Sequence, residues 1–125
     1  MDAHLLRPHE SLIPELLKET TEGIKRDGYV RTPILVENRH HIILDGHHRY
    51  QALLDLGCKR IPAYLVDYFD EGIRVETWPG AVVDHITKEE VVEAALRGHL
   101  FPPKTTRHIP ETPPEDSVVR LEDLV

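Results

Sequence analysis

Cysteine is nearly missing from this 125-residue chain: Cys58 stands alone, which excludes an intramolecular disulfide and any zinc-ribbon spacing. Positive charge is in deficit too. Fifteen Lys and Arg face twenty-two Asp and Glu, a formal net charge of -7. Gripping a nucleic-acid backbone takes a surplus of cations to displace counterions, so nucleic acid is not expected as the main partner, a local basic patch aside. No apolar run reaches the roughly eighteen residues of a membrane span, and residues 1–8 hold no long apolar segment of the kind that directs export. A cytoplasmic protein without a membrane contact is therefore expected. Asn38, Gln51, Met1 and Cys58 are each the only residue of their type, beside ten prolines. Few labile side chains and many stiffened loops resemble proteins from hot environments.

What is present is a globular composition, 40% hydrophobic and 30% charged, in a chain long enough for one domain with one core and one site. Leu12, Ile13, Leu16, Leu17, Thr20 and Ile24 are spaced for a helix over 11–27, with Ser11 as cap, Pro14 in the first turn and Gly28 as stop. Residues 33–37 and 41–44 read as strands of a hairpin turning at Asn38-Arg39. A helix over 47–56 follows, closed by Gly57, then a strand over 61–66 with Pro62 near its start. Asp70-Glu71-Gly72 makes a turn into an alternating strand over 73–78. Thr87-Lys88-Glu89-Glu90 fits a capping box that opens a third helix, with Val91, Val92, Ala95 and Leu96 facing inward. From Phe101 the chain is proline-rich and reads as a stiff surface loop, with residues 118–121 returning as a short strand. The sum is an α+β domain: a small mixed β-sheet packed with helices.

Three clusters carry chemistry. Asp45-Gly46-His47-His48-Arg49 places a glycine between an apolar strand and a helix, so free N–H groups and the helix dipole meet at a site suited to phosphate. Arg49 can fork phosphate oxygens, the imidazoles of His47 and His48 can donate, and Asp45 can hold magnesium or orient a histidine. The plainer reading is a solvated strand-to-helix turn. Glu10, just before the first helix, can be a charge partner of that helix or a general base for a hydroxyl. Lys104-Thr105-Thr106-Arg107-His108, braced by prolines, can grip a carboxylate or phosphate or be a solvated basic loop. Trp78, the only tryptophan, suits core packing or the wall of a pocket. His40 and His41, read as strand neighbours, would point to opposite faces and do not make a shared metal site.

These motifs together resemble a known family. The Gly46-His47-His48-Arg49 turn is similar to the phosphate turn of the ParB/sulfiredoxin superfamily. Within it, Arg7-Pro8-His9-Glu10, residues 43–49 and 65–72, Val75-Glu76-Thr77-Trp78, residues 103–108 and Leu121-Glu122-Asp123-Leu124 resemble the archaeal free serine kinases, in the family's order. The resemblance implies a ParB/sulfiredoxin-like fold. It also implies phosphorylation of free L-serine to O-phospho-L-serine, feeding cysteine biosynthesis, with Mg²⁺ and a nucleotide donor. ATP is the donor expected and ADP the alternative. On the same resemblance Glu10 is the catalytic base, and Asp45 a further catalytic residue and metal ligand. Gly46, His47, His48 and Arg49 hold the nucleotide phosphates; Trp78, Lys104, Thr105, Thr106, Arg107 and His108 form the serine pocket, with Arg107 on the carboxylate. Longer members carry a further segment between the tryptophan and the Lys-Thr-Thr-Arg-His stretch, where this chain has one helix. The compact form leaves room for a partner subunit over the site, and the oligomeric state stays open. The rivals are a ParB-like nucleotide- or DNA-binding regulator without turnover and a sensor of small molecules. A sulfiredoxin-like redox enzyme would need a cysteine in the turn, where His47 and His48 stand.

Overall fold

The structure is a computed structural model that describes every residue except Glu71, so the turn expected at 70–72 lies in part outside the described residues. In chain order the elements are α1 (Pro14–Asp27), β1 (Tyr29–Val30), β2 (Ile34–Glu37), β3 (Ile43–Asp45), α2 (His47–Asp55), β4 (Ala63–Val66), β5 (Ile73–Thr77), α3 (Lys88–Arg97), β6 (Thr106–Pro110) and β7 (Val119–Arg120). The architecture is α+β, as the apolar periodicities indicated.

The central sheet runs β3-β2-β4 and is mixed: β2 pairs antiparallel with β3 through the hairpin and parallel with β4 through the α2 crossover. Alternation along these strands divides the interior into two cores. Ile34, Val36 and Ile43 pack on Leu53 of α2 and on Ile61, with Cys58 buried beside them. Leu35, Ile42 and Leu44 meet Tyr68, Ile73 and Val91 of α3 on the opposite face. A sheet covered on both faces explains why its strands read as unbroken apolar runs. β1 pairs with β7, and β5 with β6, as two separate antiparallel ribbons.

Four local expectations need correction. Ser11 does not cap α1: Ile13 holds the N-cap place and Ser11 N–H donates to Phe101 O (2.8 Å), because residues 7–11 are drawn into bridge pairing before the helix begins. The hairpin turn is longer than Asn38-Arg39. Glu37 N–H donates to Ile42 O, and His41 sits in the turn at φ 57°, so His40 and His41 are turn residues and not strand neighbours. In α3 the capping box at Thr87 and Glu90 forms, yet the buried stripe is Val91, Ala94 and Ala95, while Leu96 is 44% exposed. Last, the Lys-Thr-Thr-Arg-His stretch is no surface loop. Residues 106–110 are strand β6, in register with β5 from Thr77↔Thr106 to Ile73↔Pro110. The half-buried alternation of β5 needs a partner, and β6 supplies it with Thr106 and His108 turned inward.

Among the described residues no helix is long and apolar enough to cross a membrane.

Candidate active site

The segment around Glu10 is held from both sides by backbone. Arg7 N–H donates to His41 O and Ile43 N–H to Arg7 O, which ties it to the start of β3. Phe101 N–H donates to His9 O, and Ser11 N–H to Phe101 O, which ties it to the chain leading into β6. Glu10 is thus presented, 9% exposed, between two sheets. Its Oε1 accepts the Thr105 N–H (2.7 Å) and its Oε2 the Thr106 hydroxyl (2.9 Å). Burial raises the carboxyl above its ordinary value, while the Thr105 and Thr106 donors and the Lys104 charge pull it down. A carboxylate so placed is a base with little water around it.

Gly46 follows β3 at φ 100° and stands at the N-cap of α2 with no side-chain cap. The first intrahelical bond runs from Tyr50 N–H to Gly46 O (2.9 Å), so the N–H groups of residues 47–49 point out of the helix end. Arg49 folds back over the turn, with Nη2 3.4 Å from Pro33 O and 3.7 Å from Asp45 Oδ2. Its Nε is buried and lacks a partner among the described residues. An orphaned guanidinium N–H beside free helix N–H groups is the donor set that a phosphate completes.

The two histidines of the turn do something the sequence reading did not foresee. His47 Nε2 accepts His9 N–H (3.2 Å), and His48 Nε2 accepts Ile13 N–H (2.9 Å). An accepting Nε2 leaves the proton on Nδ1. Both rings clamp the Glu10 segment against the turn, and burial lowers the pKa of each, His47 the more.

Trp78 donates its indole N–H to Thr106 O (2.8 Å). Lys104 Nζ lies over its ring at 5.2 Å and the Arg107 guanidinium at 5.0 Å from the centroid. The tryptophan is therefore a stacking post that orders two cations at the mouth of the cleft.

These parts enclose one cleft of about 450 Å³. Glu10, Asp45, Gly46, His47, His48, Arg49, Trp78, Lys104, Thr106, Arg107 and His108 all line it. Thr105 does not: its hydroxyl donates to Pro102 O (2.7 Å), and its contribution is the N–H on Glu10. His108 forms the wall but shares Nε2 with the Tyr68 hydroxyl (2.7 Å). Sequence reasoning gave no role to His9, which is fully buried behind Glu10, or to Leu16 and Thr20, which line the cleft from α1. The four-residue spacing of the last two was the available signal.

Burial also sets an expected pH response. His9 is lowered to about 4 and His108 to about 3, from an ordinary value of 6.5. The unfolded chain binds protons first on acidification, so this part of the stability is complete above pH 6.5 and is lost as pH falls through about 4 for His9 and about 3 for His108. A thermal midpoint that falls most steeply below pH 6.5 is expected; a midpoint flat down to pH 4 would contradict it.

Residues 1–78, which carry Glu10 and the Gly46 turn on the mixed sheet, match the ParB N-terminal domain. The chain belongs to that family. Over 99% of its length it is 35% identical to an ATP-dependent L-serine kinase of Staphylothermus marinus, and it spans 47% of that relative. Over 70% of its length it is 35% identical to an ADP-dependent L-serine kinase of Thermococcus kodakarensis, spanning 42% of it. The chain thus covers less than half the length of these curated relatives. A free serine kinase solved in complex with AMP superposes with a TM-score of 0.91 over all of this chain and 92% of the other, at 22% identity, which establishes the shared fold.

Proposed function

We propose that this chain is a free L-serine kinase, transferring a phosphoryl group from a nucleotide to the serine hydroxyl. The observation that carries the reading is the convergence in one cleft of a buried carboxylate (Glu10), a phosphate-ready helix end (Gly46 to Arg49) and two ordered cations (Lys104 and Arg107). A primary alcohol is a weak nucleophile at neutral pH, so a carboxylate that accepts its proton as the O–P bond forms is the group such a reaction needs. The rest is alignment and charge neutralisation, which the N–H groups and Arg49 provide. Arg107 and Lys104 are the groups for the substrate carboxylate, one on β6 and one in the loop before it, with Trp78 hydrogen-bonded to Thr106 between them.

Asp45 fits magnesium in the way that ion is usually held, by one carboxylate with phosphate oxygens and water completing the shell. Its side chain is exposed at the cleft edge, and among the described residues no set of three ligating side chains could hold a metal alone. When bound, the ion would offset phosphate charge. ATP is the favoured donor, after the Staphylothermus relative, which aligns over the greater share of this chain.

The test is incubation of the protein with L-serine, Mg²⁺ and either ATP or ADP, also at high temperature. Formation of O-phosphoserine is expected. Nucleotide binding with no product from either donor would move the assignment to a ParB-like binding protein without turnover. Arg49→Ala should weaken nucleotide binding about 10- to 100-fold, the loss expected for charged hydrogen bonds to phosphate. An unaltered donor Kd would remove Arg49 from the cradle.

A further inference from the structure

Thr106 stands between two acceptors with one proton to give. His9 Nδ1 lies 2.7 Å from the Ile43 carbonyl oxygen, which can only accept, so Nδ1 carries a proton in every state of the ring. Neutral His9 then presents a bare lone pair at Nε2, 2.8 Å from Thr106 Oγ1. Glu10 Oε2 lies 2.9 Å from the same oxygen. Whichever acceptor takes the hydroxyl proton, the other faces Thr106 lone pair to lone pair. All three residues are buried, where such a mismatch is costly.

One added proton resolves it. Oε2–H then donates to Oγ1, whose own proton goes to Nε2. A second arrangement is equally complete: Nε2–H donates to Oγ1 and Oγ1–H to the Oε2 carboxylate. The two differ by a concerted shift of two protons, with no change in net charge.

We propose that His9 is a positioning residue for this reaction: through the Thr106 hydroxyl it forms one proton-sharing unit with Glu10, so that the proton leaving the alcohol is held jointly by three buried groups. The proposal rests on the reading of Glu10 as the base. In the step itself the alcohol O–H bond breaks and the oxygen's electron pair forms the new O–P bond. The P–O bond to the nucleotide breaks, its pair leaving on the nucleotide, and the proton enters the unit.

The surroundings suit this role. His47 on α2 and His108 on β6 pack on the His9 ring at 4.7 and 5.5 Å between centroids, and burial keeps both neutral. Tyr68 is engaged with His108, and His48 with the Ile13 N–H. Lys104, in the loop before β6, favours the ionised carboxylate, as do the Thr105 donor and the Thr106 hydroxyl when it points at Glu10. The His9 lone pair draws that hydroxyl proton away and so favours the protonated carboxyl, the state reached when the substrate has given up its proton.

Two spectroscopic titrations test the unit without turnover. One is the carboxyl infrared band that disappears in Glu10→Gln; the other is the ¹⁵N resonance of His9 Nε2. Both should move with one shared midpoint in the parent and in Thr106→Ser. In Thr106→Val, where a methyl replaces the hydroxyl, the His9 resonance should move far less across the Glu10 titration, keeping only the direct effect of the carboxylate 3.8 Å from Nε2. His9→Asn can keep an N–H toward Ile43 while losing the Nε2 lone pair. It should lower the proton affinity of Glu10 about tenfold, seen as an acid limb of kcat/KM for serine about one pH unit lower, with nucleotide KM unchanged. In the Thr106→Val background the same change at His9 should move that limb much less. A His9 resonance that is flat in the parent, or that moves equally in Thr106→Val, overturns the unit. Absence of phosphoserine from the parent would instead overturn the kinase reading, and the titrations would still decide the unit.

Discussion

Glu10→Gln is expected to lower the rate of O-phosphoserine formation by about 10²–10⁴-fold, the usual range for a general base, while nucleotide Kd stays near that of the parent. The substitution is unusually clean here. The Gln carbonyl can keep the Thr105 N–H bond, and its amide can donate to Thr106 Oγ1, which then donates to His9 Nε2. The variant therefore mimics the protonated site and should fold at least as stably as the parent at neutral pH, because it no longer buries a charge. Turnover measured by phosphoserine release, nucleotide affinity by calorimetry and stability by thermal melting read the three effects separately. Near-parent turnover would remove Glu10 from the mechanism.

Gly46→Ala is expected to be the most damaging change in the phosphate turn. An added Cβ would stand 2.5 Å from Ile34 Cγ2 and 2.9 Å from Arg49 Nη2, at a φ of 100° that an L side chain resists. Arg49 can swing away, but Ile34 is a core residue at 1% exposure on the central strand. Backbone strain and overpacking together should destabilise the fold by about 2–4 kcal/mol. Moving Arg49 would also dismantle the cradle, so nucleotide binding should fall further than in Arg49→Ala. Denaturant midpoints and nucleotide Kd check both halves. A variant with parent-like stability would mean that the turn at Gly46 relaxes without disturbing Ile34.

The phosphate turn was legible because it is local. A strand, a glycine and a helix start are adjacent in the chain, and their N–H groups converge wherever that order occurs. The proline-rich tail was misread because prolines 102, 103, 110, 113 and 114 dominate its composition. The pairing of residues 106–110 with β5 outweighs that local bias, since a half-buried strand with an open edge takes the partner within reach. The doubled histidine was read as a phosphate donor pair. In the fold each Nε2 receives a backbone N–H from residues 9–13, a contact that depends on how α2 packs against that segment and that leaves only Nδ1–H for a ligand.

The sequence led us to expect one core where the fold has two, but by itself it determined the α+β class, the helix start that follows Gly46, and the exclusion of an intramolecular disulfide. These follow from periodicity and adjacency, and both act over a few residues. Glu10 was already singled out by the resemblance, but only the tertiary structure decided what surrounds it. Glu10 meets Thr105 and Thr106 across 95 and 96 positions of chain, and His9 meets Thr106 across 97. Contacts at that separation are set by how the strands pair and the two cores close, which no local pattern in the chain encodes.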